Sequence, residues 1–341
     1  MLKRSIVLTA ALVAASISLF AAPPQAPLNI KLSTLAPATT SWHKALLEMG
    51  ETWTKDTGGR VKLTVYAGGI QGSEEATIRM MRPGVESLQA GFYTSGGLSV
   101  IDEAFNVMGM PFFFESDAEE LAVEQKLAPV LEQRLNAKGF HLLNWGTGGW
   151  VQIFSKKPLK TLDDVKNAKL YTSKGDDKMV QWFTRNAFHP VALLPADIPA
   201  QLKLGTGLID TTPYPPYLAL ATQIYRDAKY MLDAKLAPLV GAAIISNEAW
   251  KKISPADQAK MAAAAKALET RVRADGPKQD ADSVAQMKLR GLEVITPDAK
   301  AQADFRAASA KLVQSMRGDM VPTDIFDMAL AARDAFRKTK K

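Results

Sequence analysis

Apolar and polar positions alternate where the first structured segment of the chain begins. Residues 28–33, LNIKLS, have the period of a half-buried strand. Apolar residues spaced three and four apart over 42–53 predict a helix that stops at the glycines 58–59. Alternation returns over 61–66, and a second helix is predicted to begin after residue 73. This strand–helix–strand–helix series predicts a largely parallel sheet covered by helices.

The same kind of pattern restarts in the second half of the chain. Between the two series, strands are predicted at 88–94 and 141–145, with a polar helix over 116–138. The second series has strands at 151–154, 169–172, 191–194 and 240–246 and a helix at 176–186. At 341 residues, the chain is long enough for two such units.

The last third of the chain is predominantly helical. Ser254 and Pro255 form an N-cap with proline at the first helical position, which opens a helix that can run to Leu289. Gly276 and Pro277 in its middle predict a kink or a break, because proline removes one backbone hydrogen bond and clashes with the preceding turn. Residues 298–338 predict two more helices.

The N-terminal segment has the form of a signal peptide. Lys3 and Arg4 precede an apolar stretch over 5–20 that ends in two alanines, Ala21 and Ala22. Serines and threonine dilute this stretch, which makes a permanent membrane anchor the weaker interpretation. We expect a signal peptide at residues 1–22 and a mature protein in the periplasm.

Composition excludes several classes of function. The formal net charge is +7, and loss of Lys3 and Arg4 with residues 1–22 would lower it to +5 (7 − 2 = 5). No long basic run accompanies this surplus, so nucleic acid is not an expected partner. The chain has no cysteine and three widely separated histidines, which leaves little for a thiol nucleophile or a transition-metal site. No cofactor or metal is expected.

Short motifs that resemble catalytic signatures have simpler explanations. Residues 68–72, GGIQG, lie between a predicted strand and helix, but they match neither dinucleotide nor P-loop spacing, so a tight connection is favoured over a phosphate cradle. Residues 41–44, SWHK, match a serine-enzyme motif without its companion motifs, so Ser41 is better explained as part of a helix N-terminus.

Aromatic residues are the most informative candidates for a binding site. Several fall at the predicted ends of strands or in loops, where open α/β sheets bind their ligands. Each one alone is more typical of a core position, but together they indicate an aromatic-lined cleft. They include Phe92, Tyr93, Trp150, Tyr171, Tyr214 and Tyr217.

A series of motifs in order along the mature chain resembles the DctP-type solute receptors of TRAP (tripartite ATP-independent periplasmic) transporters. The motifs are TGGRVKLTVY at 57–66, QGSEE at 71–75, MPFFF at 110–114, KPLKTLDDVK at 157–166, LGTGLID at 204–210 and NEAWKKIS at 247–254. The resemblance implies an α/β fold of the periplasmic-binding-protein type, with two lobes and a long helix spanning both. It also implies a non-catalytic receptor that closes on one small molecule and delivers it to the membrane subunits of a permease.

The resemblance divides the chain into two lobes. Lobe I is expected to comprise 27–149 and about 241–280, and lobe II 150–240 and about 281–341. We expect a monomer.

Three positions depart from the family pattern. Tyr171 stands where members usually have an arginine that clamps a ligand carboxylate, and Val151 matches a second arginine found in some members. Tyr214 replaces a usual polar residue. Because a carboxylate buried without a cation is costly, either another cation serves, with Lys174 the nearest candidate, or the ligand is not a small dicarboxylate. We expect an apolar or aromatic ligand, or a monocarboxylate held by tyrosine hydroxyls and backbone N–H groups.

Two other functions remain open at this stage. A sensor could pass ligand-induced closure to a signalling partner in place of a permease. An enzyme on the same scaffold would need a nucleophile–base pair that the sequence does not display.

Overall fold

The computed structural model describes residues 26–339. The predicted signal peptide lies outside these residues. The strands are β1 Leu28–Thr34, β2 Val61–Tyr66, β3 Ala90–Thr94, β4 Phe140–Ser155, β5 Lys169–Ser173, β6 His189–Leu193, β7 Thr211–Tyr214, β8 Tyr230–Ser246 and β9 Glu293–Ile295. The α-helices are α1 Ser41–Asp56, α2 Glu74–Met80, α3 Ser95–Ser99, α4 Asp117–Ala137, α5 Leu162–Lys166, α6 Asp177–Arg185, α7 Ile198–Lys203, α8 Pro216–Thr222, α9 Asn247–Lys251, α10 Pro255–Lys288, α11 Ala299–Met316 and α12 Thr323–Lys338.

One sheet runs through both lobes. Its strand order is β2-β1-β3-β8-β4-β7-β5-β6, and β9 pairs with β8. The strands β2, β1 and β3 pair in parallel at one end, and β7, β5 and β6 do so at the other. These two parallel groups are the sheets of lobe I and lobe II, as the two predicted strand–helix series require.

The two long strands β4 and β8 join the lobes. They pair antiparallel along most of their length, from Phe140 opposite Ser246 to Ser155 opposite Tyr230. The sequence predicted two separate strands over the span of β4 and only the last part of β8. That interpretation was wrong because Gly148 and Gly149, which lie between the two predicted strands, form a register shift within one continuous strand. Residues 211–214 form β7, a strand that the sequence did not predict.

The long helix α10 lies against both lobes. It contacts α1 and β4 as well as α8. The Arg273 guanidinium bonds to Glu120 and Glu124 of α4 at 2.7 Å, and these carboxylates are almost fully buried. In the second half of the helix, the Asp280 carboxylate accepts from the backbone N–H of Trp150 at 2.9 Å. Of the kink or break predicted at Pro277, the break does not occur, because α10 is continuous from Pro255 to Lys288.

Hydrophobic clusters fill the space between the sheet and its helices in each lobe. The C-terminal helix α12, which was expected in lobe II, buries Ile325, Phe326 and Ala329 in the same cluster as α4 of lobe I. Between residues 26 and 339, the helices lack the combination of length and apolar character needed to cross a membrane.

Candidate functional site

A cavity lies between the two lobes, beside the crossing of β4 and β8. Its volume is about 280 Å³. Lobe I contributes the loop after β1, the end of β3 and the start of α2, and lobe II contributes β5, β7 and the start of α8. The register shift of β4 at Gly148 forms part of the wall, so the segment that joins the lobes also borders the cavity. We call this space the cleft cavity.

Five of the eight predicted site residues line the cleft cavity. They are Phe92, Val151, Tyr171, Tyr214 and Tyr217. They come from β3, β4, β5, β7 and α8, which are far apart in the sequence. The strand order brings these elements to one place because the parallel strands of both lobes end at the cleft.

The other three predicted site residues lie outside the cavity wall. Tyr93 and Trp150 alternate with Phe92 and Val151 along their strands, so their side chains point to the opposite face. The Tyr93 ring is buried in the core with its hydroxyl 3.3 Å from Met81 Sδ. The Trp150 indole donates to Asp117 Oδ1 at 3.0 Å.

Lys174 also lies outside the cavity wall, although it follows directly after a lining residue of β5. Its backbone N–H donates to Leu193, and the residue is exposed to solvent. The described residues that line the cavity therefore include no lysine, arginine or histidine. A ligand carboxylate in this cavity would have no cationic side chain beside it.

Trp42 forms an aromatic wall that the sequence did not identify. Its ring stacks on Phe92, with the centroids 4.3 Å apart, and its indole N–H donates to the Thr147 carbonyl at 3.0 Å. Gly146 makes room for this pair, because a Cβ there would overlap the Trp42 ring. The helical spacing of Trp42 predicts a buried core position. Only the tertiary structure shows that the same ring also borders the cavity.

The three tyrosines of the cavity remain protonated at neutral pH. Burial raises the pKa of the Tyr214 phenol to about 12, and burial also raises the pKa values of Tyr171 and Tyr217. Their hydroxyl groups are consequently neutral donors and acceptors, which suits an uncharged partner.

Glu74 is the one carboxyl group in the described wall of the cleft cavity. Its two oxygens accept from the backbone N–H and the hydroxyl of Thr94, both at 2.7 Å. Burial raises the pKa of Glu74 to about 7, although the two bonds from Thr94 oppose this shift. The nearby Asp176 of lobe II raises the pKa of Glu74 further, and its own pKa is raised mainly by burial.

The sequence did not single out Glu74 as a site residue. In sequence it is an acidic residue in the first turn of a helix, like its neighbour Glu75, and such residues usually interact favourably with the helix dipole. The structure separates the two, because Glu74 is 8% exposed and packs against Gly97, where a Cβ would overlap its carboxylate. Gly97 was the one available sign in the sequence of this buried position. Its role becomes visible only through its contact with Glu74, which lies 23 residues earlier in the chain.

The two lobes touch at the rim of the cleft cavity. Lys178 Nζ of lobe II lies 2.6 Å from Glu103 Oε1 of lobe I. Gly175 approaches the side chain of Glu75 so closely that a Cβ would overlap it. The site is thus a largely apolar chamber with phenol hydroxyls and one carboxyl. Residues 26–339 bring together no group of three His, Asp or Glu side chains able to hold a metal ion.

The sequence of this chain matches the model of a known protein family across both lobes. Residues 32–319 match the family described as bacterial extracellular solute-binding protein, family 7, or DctP. The chain belongs to this family. The family resemblance found in the sequence is thereby confirmed, and the chain is a solute-binding receptor of the TRAP type and not an enzyme.

Relatives of this DctP receptor include proteins with named ligands. The 2,3-diketo-L-gulonate-binding periplasmic protein YiaO of Escherichia coli is 24% identical over 300 residues, which cover 87% of this chain and 90% of YiaO. A TRAP solute-binding protein of Haemophilus influenzae, solved with L-gulonate, has a TM-score of 0.81 and 24% identity, covering 90% of this chain and 99% of that one.

A second solved receptor is more distant in sequence but equally similar in fold. DctP7 of Bordetella pertussis, which binds pyroglutamic acid, has a TM-score of 0.80 and 18% identity, covering 90% of this chain and 99% of that one. At these identities the solved structures show the fold alone, and they confirm the predicted two-lobe α/β architecture.

Proposed function

We propose that this DctP receptor acts in the periplasm, binds one small organic molecule in the cleft cavity and presents it to the membrane subunits of a TRAP permease. The family membership and the signal-peptide pattern of residues 1–22 support this proposal. N-terminal sequencing of protein from a periplasmic extract should find a chain that starts near Ala22 or Pro23. An intact Met1 in the membrane fraction would contradict the proposed location.

The ligand we propose is an apolar or aromatic molecule with a neutral hydrogen-bond donor. The observation that carries this proposal is the composition of the described cavity wall, which holds Glu74 and three tyrosines but no cationic side chain. A sugar acid or pyroglutamate, as named for the relatives, carries a carboxylate that would need a charged partner on burial. Glu74 can accept a hydrogen bond from a hydroxyl or amide of the ligand, and the Trp42–Phe92 pair offers a surface for a ring.

A binding panel tests the ligand class. Native mass spectrometry of protein purified without refolding should first reveal any retained molecule. Calorimetry should then compare benzamide, benzoate, L-gulonate and pyroglutamate. We expect benzamide to bind most tightly to the wild type, because its amide can donate to Glu74.

Two variants test whether the cavity wall sets the choice of ligand. Tyr171→Arg should weaken benzamide and admit benzoate or L-gulonate, since it places a guanidinium in the cavity. Lys174→Ala is the matched control, because it removes a cation outside the cavity and should change no affinity. Tight binding of L-gulonate or pyroglutamate by the wild type, unaffected by Tyr171→Arg, would contradict the proposed ligand class and leave the receptor assignment intact.

A further inference from the structure

A second cavity lies mainly in lobe II, beside β5, and shares part of its wall with the cleft cavity. Its volume is about 300 Å³. Leu170 and Thr172 line this space and not the cleft cavity, and they alternate along β5 with Tyr171 and Ser173, which border both. We call it the rear cavity. Its opposite wall is formed by α6 and α11.

The wall of the rear cavity is predominantly apolar. Met179 and Phe183 of α6 face it, as do Leu312 and Met316 of α11. Close-packed protein interiors leave few voids larger than a water molecule. An apolar cavity of only about 150 Å³ is already able to bind benzene. A space of this size and character is therefore suited to a small ring.

Two buried hydroxyl groups in this wall have no hydrogen-bond partner within the described chain. They belong to Thr172, which is 5% exposed, and Ser309, which is 2% exposed. Most buried hydroxyls are paired, because an unpaired one loses its hydrogen bonds to water. Several other helical hydroxyls bond to the preceding turn, as Ser283 does to the Gln279 carbonyl at 2.7 Å. Ser309 sits in a helix without such a bond.

Two phenylalanines separate the rear cavity from the surface. The rings of Phe112 and Phe305 lie 6.0 Å apart, and both residues also line a polar depression that contains Lys235 and Arg306. Phe112 has a backbone φ of 54°, which is strained for a residue with a side chain, and its N–H donates to the Leu236 carbonyl at 2.6 Å. Strained positions of this kind often mark ligand sites.

We propose that the rear cavity is a second binding site, for a small aromatic or apolar molecule that carries one hydroxyl or carbonyl group. The ring lies among the side chains of α6 and α11, and the polar group bonds to Thr172 and Ser309. The molecule enters past Phe112 and Phe305. Ser95, Val151 and Pro213 also border both cavities, whereas Thr172 and Ser309 line only the rear cavity. The ligand of the rear cavity is therefore proposed independently of the ligand of the cleft cavity.

Nuclear magnetic resonance of the full mature chain tests this site. The probes are p-cresol and p-xylene, which differ only in a hydroxyl and a methyl group. We expect p-cresol to shift the methyl signals of Met179 and Met316 in a saturable way. Signals of Met49 and Met261, which lie in another core cluster, should not move. The Trp42 indole reports separately on the cleft cavity.

Substitution of the two hydroxyls tests the polar part of the proposal. The double variant Thr172→Val and Ser309→Ala should weaken p-cresol roughly threefold to tenfold while leaving p-xylene unchanged, since only p-cresol loses a hydrogen bond. Thr184→Val is the matched control, because this exposed hydroxyl of α6 bonds to its own helix and should not alter either affinity.

A filling variant gives an independent readout. Leu312→Phe should abolish the binding of both probes by occupying the rear cavity, while the indole signal of Trp42, which lines only the cleft cavity, should stay as in the wild type. Absence of saturable shifts at Met179 and Met316 would overturn the second site. An unchanged ratio of the p-cresol and p-xylene affinities in the double variant would overturn the assigned role of Thr172 and Ser309.

Discussion

Glu74 shows how one side chain gains its properties from its surroundings. The same residue type at the exposed start of a helix would keep an ordinary pKa, whereas Glu74 is enclosed by Gly97, Thr94 and the facing Asp176. Burial favours the protonated form, and the hydrogen bonds from Thr94 favour the ionised one. The burial effect is larger, which raises the pKa to about 7.

This raised pKa predicts a particular dependence of stability on pH. The folded protein holds the proton of Glu74 more tightly than the unfolded chain, whose pKa is near 4.5. The free energy of unfolding should therefore fall as pH rises from about 4.5 to about 7. This loss of stability between pH 4.5 and pH 7, on the order of 3 kcal/mol, should be absent from Glu74→Gln. Urea denaturation of both proteins at pH 4.5, 6 and 8 measures the effect.

A neighbouring acid provides the control for this measurement. Glu75→Gln changes a carboxylate next in sequence that lies on the more exposed side of the helix. We expect its stability curve to parallel that of the wild type. Parallel curves for Glu74→Gln and the wild type would show that Glu74 ionises as it does in an unfolded chain.

The packing of the joining strand β4 against the long helix α10 depends on a close approach between Gly149 and Asp280. Gly149 has a φ of 77°, and a Cβ there would overlap the carboxylate of Asp280. That carboxylate accepts from the N–H groups of Trp150 and Tyr217, so it links α10 to β4 and α8. The irregular part of β4 is thus held in place by the helix that spans both lobes.

Substitution of Gly149 should be unusually costly for this reason. Gly149→Ala should lower the free energy of unfolding by roughly 2 to 4 kcal/mol, because backbone strain adds to the loss of the Asp280 contacts. Gly59→Ala is a matched control with a φ of 81° and no atom within 4 Å of the new Cβ, and it should cost only about 1 kcal/mol. Denaturant unfolding compares the two.

A double variant isolates the steric part of this cost. Asp280→Ala removes the carboxylate that the new Cβ would meet. In that background, Gly149→Ala should cost about as much as Gly59→Ala does in the wild type. An equal cost of Gly149→Ala in both backgrounds would rule out the contact with Asp280 as its cause.

We expect the two lobes, which together form a chamber, to open and close, because the contacts between them are weak. The ion pair of Lys178 with Glu103 is exposed, and such pairs typically contribute no more than about 1 kcal/mol. A ligand that contacts both lobes can therefore decide between open and closed states by its own binding energy.

Fluorescence energy transfer measures this closure. The chain has no cysteine, so cysteines introduced at the exposed positions Glu51 of lobe I and Lys203 of lobe II can be labelled selectively. Addition of the panel compound that binds should raise transfer between these positions and compact the particle in solution scattering. A pair within lobe I, Glu51 and Lys126, is the control and should not change. Binding without a change in either signal would refute hinge closure.

Local patterns were sufficient for most elements of the fold. Alternating and helical periods predicted β1, α1, β2 and α2 close to their observed bounds. They failed where long-range pairing overrides a local signal, as at Gly148 and Gly149 within β4. The bounds of the two lobes remain a prediction, and the packing of α12 on α4 depends on contacts between distant residues.

The sequence by itself determined the family, the α/β class and the absence of the usual arginines, because these reside in residue types and their order. It also identified Phe92, Tyr171 and Tyr214 as aromatic candidates at the ends of strands. Only the tertiary structure decided that Tyr93 and Trp150 face away, that Lys174 lies outside and that Glu74 is buried in the wall. The physical reason is that side-chain direction, burial and the pKa of Glu74 are set by neighbours from other elements, and local sequence does not encode which neighbours those are.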